Sequence, residues 1–136
     1  MQFLDNNCQN AKNSYTLDIE SSAFIYGNGS VFGAGLDIEL QQSCYNMQIN
    51  IRRIKCAYNS GLLGGNFDIE FRNDSVYNNV TIEESIIAYG WSRSNGGGIR
   101  FLKDSGYLSP CNEVNRAEER TTLYLRNTYI FSNFAN

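Results

Sequence analysis

Four short segments of the chain can be laid under one another: Leu17-Asp18-Ile19-Glu20, Ile49-Asn50-Ile51-Arg52, Val80-Thr81-Ile82-Glu83 and Leu123-Tyr124-Leu125-Arg126. Each alternates apolar and polar residues, the pattern of a strand with one buried face. Their starts are 32, 31 and 43 residues apart. Further columns follow at constant offset: Phe24, Cys56, Ile87 and Ile130, then Tyr26, Tyr58, Tyr89 and Ser132, then Gly27, Asn59, Gly90 and Asn133. A second strand repeats as Leu36-Asp37-Ile38-Glu39-Leu40, Phe67-Asp68-Ile69-Glu70-Phe71 and Ile99-Arg100-Phe101, each preceded by a glycine-bearing corner. A unit of about 31 residues made of short strands cannot cover its own apolar face, whereas stacked copies bury a continuous one. The repeat therefore predicts an all-β parallel solenoid. Its core should be Leu17, Ile19, Ile49, Ile51, Val80, Ile82, Leu123 and Leu125 with Leu36, Ile38, Phe67, Ile69, Ile99 and Phe101.

Composition agrees with that reading and removes several functions. Eighteen asparagines and twelve glycines against one proline suit a turn-rich β chain, because Asn and Gly accept the positive φ of tight turns, here expected at the Gly/Asn column. The 136 residues fit one unit, 1–136. A net charge of −3 with eleven dispersed basic residues argues against nucleic acid as a partner. No apolar run approaches the roughly 20 residues of a membrane span, and the start Met1-Gln2-Phe3-Leu4-Asp5 lacks the regions of a signal peptide. There is no histidine, and the four cysteines have no CxxC spacing, so no metal site and no catalytic residue is assigned. The N-x-S/T sites at Asn28, Asn73 and Asn79 permit secretion without showing it.

The segment Val80-Thr81-Ile82-Glu83-Glu84-Ser85-Ile86-Ile87-Ala88-Tyr89-Gly90, followed by Asn95-Gly96-Gly97-Gly98-Ile99, resembles one coil of the right-handed parallel β-helix superfamily, the pectin-lyase-like fold. It is most similar to the repeat-rich branch of surface and secreted proteins. The resemblance implies a right-handed parallel β-helix (β-solenoid) of about three to four coils and an extracellular or cell-surface location. The chain departs from the family over 102–122, which carries Pro110, Cys111 and the charged run Glu113 to Arg120, and reads as one protruding inserted loop. In polysaccharide-active members of the superfamily, the resemblance implies aspartates that bind calcium or act as acid and base. The matching candidates are Asp37, Glu39, Asp68 and Glu70, expected as two columns about 4.8 Å apart on an outward face, with Arg100 in or near the glutamate column. The competing reading of the same residues is a solvated polar face.

Other columns point to structure. Glu20, Arg52, Glu83 and Arg126 alternate in sign, so every adjacent pair attracts and the ladder helps to set coil pairing. Tyr26, Tyr58 and Tyr89 form a column that either lines a sugar-binding stripe or stacks as structure, and Trp91 in the next loop is a candidate sugar contact. Taking Leu4, Leu40, Phe71 and Phe101 as equivalent strand ends places Cys8 and Cys44 four residues beyond, within disulfide reach, with Cys56 a free buried thiol and Cys111 a competitor for Cys44. Taken together, the sequence predicts a noncatalytic extracellular or surface module with a structural, adhesive or assembly role, whose partners are flanking β-helix coils or copies of itself. The alternative is a carbohydrate-binding or polysaccharide-active β-helix that uses the acidic columns, with calcium and glycans as ligands.

Overall fold

The computed structural model describes residues 2–5, 15–29, 35–40, 46–72, 77–103 and 121–136, the first of these by backbone alone. Fifteen strands occur among the described residues, and no helix does. In chain order they are β1 (Gln2–Asp5), β2 (Thr16–Glu20), β3 (Ala23–Ile25), β4 (Leu36–Leu40), β5 (Gln48–Arg52), β6 (Lys55–Ala57), β7 (Ser60–Leu63) and β8 (Phe67–Phe71). There follow β9 (Asn79–Glu83), β10 (Ile86–Ala88), β11 (Trp91–Asn95), β12 (Ile99–Lys103), β13 (Thr122–Arg126), β14 (Tyr129–Phe131) and β15 (Phe134–Ala135). They form four open sheets: A, β1-β4-β8-β12; B, β2-β5-β9-β13; C, β3-β6-β10-β14; and D, β7-β11-β15. All pairings are parallel. The chain visits the sheets in the order A, B, C, D, except that in the first pass sheet D is represented only by the isolated bridge of Asn28 to Ser60, so each pairing joins residues one circuit apart.

The registers are those of the repeat. Leu17 pairs with Ile49, Ile49 with Val80, and Val80 with Leu123. Phe24, Cys56, Ile87 and Ile130 lie side by side in sheet C, as Leu36, Phe67 and Ile99 do in sheet A. One expected alignment fails: Leu4 lies opposite Glu39 and Asp5 opposite Leu40, while Phe71 faces Lys103 rather than Phe101. Cys8 therefore stands three residues past its strand end and Cys44 four, and the equal offset behind their proposed pairing is lost. Cys8, Cys44 and Cys111 lie outside the described residues. So does most of the expected loop, although Leu102 and Lys103 close β12 and Thr122 opens β13.

Of the fourteen expected core residues, Ile19, Ile49, Ile51, Val80, Ile82, Leu36, Ile38, Phe67 and Ile69 are buried, and Leu17, Ile99, Phe101 and Leu123 pack partly buried against them. Leu40, Met47, Ile54, Cys56, Phe71 and Ile87 complete the cluster. Leu125 is the exception at 47% exposure, because β13 is an edge strand of sheet B and, among the described residues, no strand lies beyond it.

The corners also differ from expectation. Left-handed backbone falls on Tyr26, Tyr58, Tyr89 and Ser132, with φ between +51 and +59°, one residue before the Gly/Asn column. Another such set, Ser21, Arg53, Glu84 and Asn127, turns the chain from sheet B to sheet C. This conformation costs an L-residue roughly 1–2 kcal/mol. It persists because the corner amides are used: those of Tyr26, Tyr58 and Tyr89 donate to Ala57, Ala88 and Phe131 carbonyls on the neighbouring circuit, at 3.2, 3.2 and 3.3 Å.

Candidate functional site

The acidic columns form where the repeat placed them, since Asp37 lies opposite Asp68 and Glu39 opposite Glu70. They do not form an outward, solvated face. β4 and β8 are buried along their whole length, Asp37, Glu39 and Glu70 are each 5% exposed, and Asp68 is fully enclosed. Alternation in a sequence shows which residues share a face of a sheet; it does not show that the face is wet.

Burying like charges side by side requires compensation, and two arginines supply it. Arg100 stands in the aspartate column, opposite Asp68, rather than in the glutamate column. Its Nη1 donates to both Asp68 oxygens at 2.6 and 2.9 Å and to Glu70 Oε2 at 3.1 Å. Arg72, one residue past β8, sets its Nε 2.8 Å from Glu39 and 2.9 Å from Glu70, close but without hydrogen-bond alignment, so the attraction is ionic. Burial pushes the Asp68 carboxyl above its ordinary value, against the hydrogen bond and charge of Arg100. Burial acts to lower the Arg100 pKa as well, but its bonds to Asp68 and then Glu70 win and hold it above the usual value. The two shifts differ in what prevails because the carboxylate has no contact with water while the Arg100 side chain keeps 14% exposure. Among the described residues, no group of three or more His, Cys, Asp or Glu side chains is arranged to hold a metal ion.

The Gly/Asn column holds a second buried network that the sequence pattern did not reveal. Asn59 accepts from the Gly27 amide at 2.7 Å and donates to the Phe24 carbonyl at 2.9 Å. Asn133 repeats this two circuits on, accepting from Gly90 at 2.8 Å and donating to Ile87 at 3.0 Å. Asn66 joins them, receiving from Asn59 at 2.8 Å and donating to Asn133 at 2.9 Å. Glycine is required opposite: a Cβ on Gly90 would lie 2.0 Å from the Gly97 carbonyl oxygen and 2.5 Å from Asn66 Nδ2. The alternation Gly27, Asn59, Gly90, Asn133 is the sequence signal of this arrangement, yet both residue types also favour turns, which hid the hydrogen bonding. Cys56 abuts the network, with Asn59 Nδ2 3.3 Å from its sulfur, and burial pushes its pKa up to about 12.

The sign-alternating column keeps its register, Glu20 opposite Arg52, Arg52 opposite Glu83, and Glu83 opposite Arg126. Only Arg52–Glu83, at 2.9 Å, closes as an ion pair. Glu20 pairs instead with Arg53 at the corner, and Arg126 lies over the Tyr124 ring at 5.9 Å.

Tyr26, Tyr58 and Tyr89 face outward and stack, with centroids 5.1 and 4.7 Å apart and interplanar angles of 15 and 5°. Phe131 ends the row edge-on to Tyr89 at 5.4 Å. Trp91 is 37% exposed at a shallow depression of about 370 Å³ bounded by Asn28, Ser60, Leu62 and Arg93, whose guanidinium lies 5.8 Å from the indole centroid. Trp91 and the acidic residues thus occupy different sheets, D and A, and do not form one site. Comparison of the chain with protein-family models, with curated proteins and with solved structures yielded no match.

Proposed function

We propose that the four parallel sheets are the faces of a right-handed parallel β-helix, and that the chain is a noncatalytic extracellular or surface module with a structural, adhesive or assembly role. The observation that carries this reading is the fate of the acidic residues. Glu39, Asp68 and Glu70 are enclosed and engaged by Arg72 and Arg100, so they join one circuit to the next. A carboxylate acting as general acid or base must reach the proton that it transfers. The tyrosine row supports the same reading, because stacked aromatic pairs add about 0.5–1.5 kcal/mol each beyond the area they cover. The test is incubation with acidic and neutral polysaccharides across a calcium titration, reading new reducing ends and unsaturated products. No cleavage at any calcium concentration is expected; calcium-dependent cleavage overturns the reading.

A second reading is carbohydrate binding, moved from the acidic columns to sheet D. It is favoured by the half-exposed Trp91 beside polar Asn28 and Ser60, an apolar face with adjacent hydrogen-bonding groups that suits a sugar ring. On this reading, Trp91→Ala abolishes retention on a glycan array, while a cooperative thermal melt shows that the variant remains folded.

A further inference from the structure

We infer that the β13–β14 edge of one molecule docks head to tail on the β2–β3 edge of a second copy. The inference rests on the stacked-circuit part of the proposed function and adds the partner. Interior members of the inward columns are buried because a circuit lies on each side of them: Ile51 and Ile82 in sheet B and Ile87 in sheet C have no exposure. Their counterparts at the last circuit, Leu125 and Ile130, are 47% and 43% exposed. At the opposite edge, Ile19 keeps 7% exposure, Leu17 and Phe24 are only partly buried, and Ile25 is exposed. Among the described residues, β13 and β14 pair on one side only, as do β2 and β3, so both edges offer free N–H and C=O groups.

What selects a second copy is complementarity in the register that every internal step uses. That register sets Leu17 opposite Leu123, Ile19 opposite Leu125, and Phe24 opposite Ile130. It also sets Glu20 of one copy against Arg126 of the other, extending the acid-base alternation of Glu20, Arg52, Glu83 and Arg126 without a fault. The buried polar column continues equally well, since Gly27 would follow Asn133 as Gly90 follows Asn59. A joint between two different edges does not close on itself, so repetition gives an open filament.

The test is sedimentation velocity of the whole chain over a concentration series, with Arg126→Glu and Glu20→Lys as variants. Both side chains are exposed, and a thermal melt of each variant confirms folding. The parent is expected to grow beyond a monomer as concentration rises. Each variant alone meets a like charge at the joint and associates roughly tenfold more weakly. An equimolar mixture restores association, because each variant then meets the opposite charge at both edges. A parent that stays monomeric into the high micromolar range, variants that assemble as the parent does, or a mixture no stronger than its components each overturn the inference. A monomeric parent leaves the noncatalytic reading intact, whereas polysaccharide cleavage overturns that reading and leaves the docking edges standing.

Discussion

Replacing Asn59 with alanine removes three hydrogen bonds at once, from the Gly27 amide at 2.7 Å, to the Phe24 carbonyl at 2.9 Å and to Asn66 Oδ1 at 2.8 Å, together with a weaker one to Cys56 Sγ at 3.3 Å. Asn59 is 1% exposed, so water does not replace what the side chain supplied. At a net contribution of about 0.5–1.5 kcal/mol for each bond, the loss is about 3 kcal/mol. Against a total of about 5–15 kcal/mol this is a large fraction of the stability. In a chain of this length it lowers the melting temperature by roughly 10 °C. Asn133 is the internal control, for it makes the equivalent bonds to Gly90 and Ile87 and accepts one from Asn66, but is only half-buried at the last circuit. Water can take its place, and Asn133→Ala should cost about 1 kcal/mol. Urea unfolding of both variants gives the two values, and amide hydrogen exchange at Gly27 reports the local opening. If Asn59→Ala costs less than Asn133→Ala, or leaves Gly27 exchange unchanged, the asparagine network does not join the circuits.

Three further outcomes follow from the buried groups. Ile51→Asp or Ile82→Asp places an unpaired charge at a position with no exposure and should abolish the cooperative melt seen by circular dichroism, since the penalty of several kcal/mol rivals the whole stability. Cys56 should resist alkylation in the folded chain at pH 8 and react on unfolding, as peptide mapping would show; because its pKa is pushed up to about 12, its contribution to stability is lost as pH rises above the ordinary thiol range toward that value. The raised Asp68 pKa means that the folded chain takes up this proton before the unfolded chain does, so the stability of the parent relative to Asp68→Asn should increase as pH falls through the weakly acidic range and level off below the usual aspartate value. A difference that shrinks on acidification would show that pairing with Arg100, rather than burial, governs Asp68.

Strand positions and lateral register were legible because the fold repeats them. One apolar-x-apolar segment is ambiguous, but four in aligned columns set both the direction of pairing and its phase, and Leu17, Ile49, Val80 and Leu123 do lie side by side. The alignment of strand ends failed at Leu4, where the chain supplied no flanking column to hold the phase, and at Phe101, which lies opposite Ile69 two residues before the end of its strand. The candidate site was legible only as a list of residues. That Asp68 and Glu70 share a face follows from strand alternation; that the face is enclosed depends on what covers it, which no local pattern records. Arg72 escaped notice because it stands just past a strand end and outside every column, although it reaches two glutamates from different circuits. The tyrosine row was found, but its left-handed backbone was not, since an aromatic residue ordinarily avoids that conformation and glycine or asparagine stood beside it as better candidates.

The constant step between paired strands governs how the molecule can be assembled in time. Among the described residues, four of the six pairings in sheets B and C join residues 31 or 32 positions apart and the other two join residues 43 apart, so no strand pair there forms without closing a loop of at least that size, and folding should be slow for a chain of this length. Once one such loop has closed, the next strand finds its template waiting, and growth can proceed by successive closures of equal cost. The step from β9 to β13 is longer, at 43 residues, yet loop-closure entropy rises only with the logarithm of length. The longer step therefore adds only about 0.3 kcal/mol to that closure. A chain built this way can lengthen a connection between sheets A and B with almost no kinetic or thermodynamic effect, while moving a single strand residue out of phase would leave every later circuit without a template.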